Sequence, residues 1–93
     1  MDEKQVIAFL RSSEPAPIKL ALEMANLTDN ERLAVELCGI RGLTYDDAVE
    51  ALQGKREVDT IKRWYRSAKK KLCRAWSGMR WVSAILEYEK NAP

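Results

Sequence analysis

Histidine does not occur in the chain, which removes the side chain that most often serves as general base near neutral pH and as a metal ligand. An enzyme is therefore not expected, nor a catalytic residue, a metal site or a cofactor. Glycine and proline are scarce, 4 and 3 in 93 residues, and they cluster, which disfavours a succession of short strands joined by tight turns. Only two cysteines occur, Cys38 and Cys73. They lack the paired spacing of a zinc ribbon or a redox motif and read as small buried hydrophobes. No apolar run reaches the roughly 20 residues that a membrane-spanning helix needs, so no membrane partner is expected. The opening residues MDEKQ carry two acids and lead into no secretory pattern. The expected location is the cytoplasm.

What is present is a chain 46% hydrophobic and 32% charged, too apolar for disorder and long enough for one small core. With strands disfavoured, the expected class is all-α. Charge comes in blocks. Residues 1–54 hold 5 bases and 10 acids, 55–74 hold 9 and 2, and 75–93 hold 2 of each, so a net +2 conceals a segment of +7. A compact positive block on an otherwise acidic or neutral chain is the footprint of a nucleic-acid binder, because neutralising phosphate needs local charge. A solvated helix face would give the same count.

Segment boundaries follow from punctuation. Val6, Ile7, Phe9 and Leu10 make an apolar stripe on a short helix over 2–11, ended by residues 12–17 with Pro15 and Pro17. Ile18, Leu20, Leu22, Met24 and Leu27 then belong to a second short helix or an extended arm. Thr28 and Glu31 form a capping-box pattern ahead of Leu33, Ala34, Leu37 and Ile40, a helix that Gly39 and Gly42 should end. Thr44 caps a further two turns carrying Ala48, Val49 and Leu52, with Asp46 and Asp47 against the positive helix end. After a polar turn at 53–57, Ile61, Trp64, Ala68 and Leu72 recur at helical spacing through the basic block. That helix could reach the C-terminus unless Ser77 and Gly78 break it.

Two short capped helices followed by a basic one describe a helix-turn-helix, whose last helix can lie in the major groove. Any small helical bundle is the plainer alternative. The apolar stripe leaves Lys62, Arg63, Arg66, Lys69 and Lys70 on the opposite face. Val58, Asp59, Lys62 and Arg63, with Arg66 one turn on, are the base-reading candidates. Lys55, Arg56, Lys69, Lys70 and Arg74 are the phosphate candidates.

These residues resemble a known family. LTDNER at 27–32, GLTYDDA at 42–48, TIKR at 60–63 and AKKKL at 68–72 look like the fourth conserved region of bacterial sigma factors, in the same order and at similar spacing. The resemblance covers residues 27–74, about half the chain. It implies a DNA-binding role in transcription, on double-stranded promoter DNA, with RNA polymerase as a second partner. It also implies that base readers would fall on Val58, Asp59, Lys62 and Arg63. A small phage or mobile-element regulator built around such a domain is a further implication.

The expected organisation is an N-terminal helical extension over 1–26, the helix-turn-helix over 27–74, and a C-terminal helical extension over 75–93 packed on the same domain. Trp76, Met79, Trp81, Val82, Ile85, Leu86 and Tyr88 give that last segment a large apolar face. It either packs on Val6, Ile7, Phe9 and Leu10 or joins two copies in a homodimer. Trp64 is expected in the core beside Leu37, Val49 and Leu52. Besides a sequence-specific regulator, two readings remain: a module binding RNA polymerase or a sigma factor through its acidic half, and a phage DNA-packaging adaptor.

Overall fold

The computed structural model describes residues 1–12 and 14–91, and among them 77% are helical and none lies in a strand. Helix α1 (Glu3–Ser12) opens on a reciprocal cap: the Gln5 amide donates to Asp2 Oδ1 at 2.8 Å and the Asp2 amide to Gln5 Oε1 at 3.0 Å. Helix α2 (Pro15–Glu23) places both prolines in its first turn, where backbone N–H groups have no intrahelical acceptor. The prolines thus start a helix as well as separating two, and the extended arm does not occur. Helix α3 (Asp29–Ala34) carries the capping box. The Glu31 amide donates to Thr28 Oγ1 at 3.2 Å and the Thr28 amide to Glu31 Oε1 at 2.9 Å.

Helix α3 does not stop at Gly39. It widens into a π-helical stretch, Val35–Ile40, and ends at Gly42, whose φ of +68° is natural only without a β-carbon. Gly39 is buried inside the π stretch. A methyl there would meet Leu10 Cδ1 at 2.8 Å and Tyr65 Oη at 3.3 Å, so its role is close approach. Helix α4 (Tyr45–Ala51) starts at Thr44, whose hydroxyl accepts from the Asp47 amide at 3.1 Å. Helix α5 (Val58–Ser77) ends at Gly78, and α6 (Arg80–Asn91) follows, so the basic helix does break at Ser77 and Gly78.

Helix α5 runs through the middle of the packing. Ile61, Tyr65, Ala68, Leu72 and Trp76 are at most 5% exposed, and α1, α3, the π stretch, α4 and α6 all pack against this helix. Trp76 lies at its far end. Its Nε1 donates to the Ala21 carbonyl at 3.1 Å, and its ring meets Phe9 edge-on with centroids 5.0 Å apart. Val6 and Val82 are fully buried in the same cluster, which joins α1 to α6. The boundary expected at residue 74 falls inside α5, because Leu72 and Trp76 share one buried face across it. Tyr88 is 76% exposed and stays outside the core.

Helix α5 is rotated from the phase that its apolar spacing predicts. Trp64 is only half-buried at the edge of the core, with the Arg56 guanidinium 5.8 Å from its ring centroid. Tyr65 holds the inner position that the sequence spacing had given to Trp64. The buried stripe advances by four, three, four and four residues from Ile61 to Trp76, and one residue is a 100° step around a helix.

Candidate nucleic-acid interface

The turn that launches α5 is built from backbone. At the end of α4 the Gln53 amide donates to the Glu50 carbonyl and the Gly54 amide to the Val49 carbonyl, both at 2.9 Å, with φ of +59° at Gln53 and +71° at Gly54. This is a Schellman cap, which ends α4 and redirects the chain into Val58 at the start of α5.

A buried polar cluster holds α5 against α3. Glu31 is 5% exposed, and its carboxylate accepts from Ser67 Oγ at 2.6 Å and Lys71 Nζ at 2.7 Å while closing the capping box with Thr28. Burial alone would raise its pKa, but the hydrogen bonds from Lys71, Ser67 and Thr28 outweigh burial and hold the carboxyl at about 2. The capping box was legible in the sequence. The reach from Glu31 to Ser67 and Lys71 was not, because a residue separation of 36 to 40 leaves no local pattern.

With the inner face and the α3 flank occupied, Asp59, Arg63, Arg66, Lys70 and Arg74 lie along the exposed side of α5. Lys62 is exposed beside α4, its ammonium 5.8 Å from the Tyr45 ring centroid, and Val58 is half-buried. Lys55 and Arg56 are exposed in the turn, where Arg56 Nη1 donates to the Lys55 carbonyl at 3.0 Å. Arg66, Lys70 and Arg74 come together around a cleft of about 420 Å³ between α1 and α5.

Lys69 departs from the expected face. Its side chain is 14% exposed, its ammonium pairs with Glu3 of α1, and the same group lies 4.3 Å from the Tyr65 ring centroid. Its position toward the buried side follows from the rotation that puts Tyr65 inward. Lys71 is taken up by Glu31. Among the described residues, two of the nine bases in 55–74 are thus held by carboxylates. Both cysteines are free thiols, and burial pushes each of them up in pKa, away from thiolate chemistry. Compared with known proteins, the chain matches no family model, no curated protein and no solved structure.

Proposed function

We propose that the protein is a sequence-specific, double-stranded DNA-binding transcription regulator in which α4 and α5 act as a helix-turn-helix. The observation that carries this reading is the outward row of Arg63, Arg66, Lys70 and Arg74 on a helix whose other sides are covered by α1, α3 and α4. A basic helix locked on three sides and open on the fourth suits insertion into a major groove, where phosphates flank the bases being read. We assign base edges to Arg63 and Lys62, near the α5 N-terminus, together with Val58 and Asp59. Arg66, a base-reading candidate by sequence spacing, lines one cleft with Lys70 and Arg74, and we assign these three, with Lys55 and Arg56 in the turn, to phosphate.

Selection of bound fragments from random duplex DNA tests the reading. An enriched motif that Arg63→Ala relaxes at one base position supports it. Binding without enrichment would reduce the face to a general polyanion surface, and no binding would remove it. A motif with two-fold symmetry would show two copies acting together. A large ring in solution would favour the packaging adaptor instead.

A further inference from the structure

A second groove lies away from α5, bounded by the end of α1, by α2, by α3 and by the π stretch, with a volume of about 500 Å³. No α5 residue lines it. Its floor is apolar: Leu10, Ile18 and Leu22 are 1 to 7% exposed and Ile40 is 37% exposed. Its rim is cationic, which the composition of this part of the chain does not anticipate. Residues 1–54 hold 10 acids and 5 bases, yet Arg11, Lys19, Arg32 and Arg41 line this groove and Glu36 is the single acid among the lining residues. Four of five bases from three separate segments thus converge on one apolar depression. Arg32 faces Glu23 at 4.0 Å, while Arg11, Lys19 and Arg41 are exposed and in no ion pair among the described residues.

Unpaired cations gathered around a greasy floor repel one another, and an anion with an apolar body relieves that repulsion while covering the floor. The volume lies within the roughly 300 to 1,000 Å³ typical of small-molecule sites. We infer that this groove is a binding site for a small amphipathic anion, a carboxylate whose apolar body rests on Leu10, Ile18, Leu22 and Ile40 and whose charge meets Arg11, Lys19 and Arg41. The site would make the protein responsive to a ligand independently of what α5 binds.

The test titrates the isotope-labelled full chain with decanoate below its micelle concentration, following backbone amides by NMR, with decanol as the uncharged control. The expected result is saturable shifts at Ile18, Leu22, Ile40 and Arg41, with decanoate at least tenfold tighter than decanol. Lys19→Glu combined with Arg41→Glu, both at exposed positions, should weaken decanoate at least tenfold in a variant that still melts cooperatively. Equal binding of decanoate and decanol would overturn the inference, as would decanoate shifts centred on Arg66 and Lys70, or wild-type affinity in the double variant. Should decanoate fail while a glutamate-rich amphipathic peptide shifts the same amides, the groove is a protein-docking surface and the small-molecule site is refuted.

Discussion

Glu31 and Tyr65 show how differently two buried polar groups can be treated. Every hydrogen bond that Glu31 makes favours its charged form, and folding lowers its pKa from 4.5 to about 2. Between those values the unfolded chain binds more protons than the native state, so the contribution of Glu31 is whole above about pH 4.5 and fades as pH falls toward 2. Glu31→Gln should cost about 2 to 3 kcal/mol near neutral pH, and the variant should lose less stability on acidification than the parent, both read by urea titration at several pH values. Tyr65 is the opposite case. Its hydroxyl is buried without a hydrogen-bond partner among the described residues, and burial pushes its pKa up to about 12. Tyr65→Phe removes that unsatisfied group at nearly constant shape, and thermal melting should show a protein as stable or more stable by about 1 kcal/mol.

At the scale of elements, helix starts were the most legible feature, because caps are local. Thr28 and Thr44 each accept the amide three residues on, where sequence spacing places it. Helix ends were less so. Gly39 reads as a terminator by composition, but its use is set by Leu10 and Tyr65, which approach from other helices. The phase of α5 was legible to within one residue, and that residue decided the placement of Trp64, Tyr65 and Lys69. Trp is the larger apolar signal, but the buried positions follow the face shared by Ile61 and Leu72. The groove between α1, α2 and α3 had no linear signature at all. The turn before α5 carries its own expectation: Gln53 occupies a left-handed conformation that glycine adopts without strain. Gln53→Gly should therefore raise stability by about 0.5 to 1 kcal/mol in thermal melting, whereas Gly54→Ala, with φ of +71°, should lower it by about 1 kcal/mol.

For the whole molecule, the useful quantity is the charge left available once internal pairing is complete. Lys69 and Lys71 are held by Glu3 and Glu31, which leaves Lys62, Arg63, Arg66, Lys70 and Arg74 as the cations of α5 in no ion pair among the described residues. If Arg66, Lys70 and Arg74 meet phosphate together with the exposed Lys55 and Arg56 of the turn, log affinity for DNA should fall against log salt concentration with a slope of about −4 to −5. Joint replacement of Arg66, Lys70 and Arg74 by alanine should reduce the magnitude of that slope by about 3. Lys71→Ala should leave the slope alone and lower the melting temperature instead, since its charge is spent inside the fold. Fluorescence anisotropy across a salt series, alongside melting curves, separates the two outcomes.

The π stretch at Val35–Ile40 bears on how this chain tolerates changes of length. A π turn spaces its hydrogen bonds one residue wider than an α turn, so the segment holds one residue more than a regular helix would need to keep both flanks in phase. Excising the exposed Glu36 lets the α ladder run through while Ala34 and the chain beyond Ile40 keep nearly the same angular positions. Excising Arg66 from α5 instead rotates everything after it by about 100° and carries Ala68, Leu72 and Trp76 out of the core. The first shortened protein should still melt cooperatively and the second should not. The helix that looks most irregular is thus a place where the scaffold has slack in its residue count.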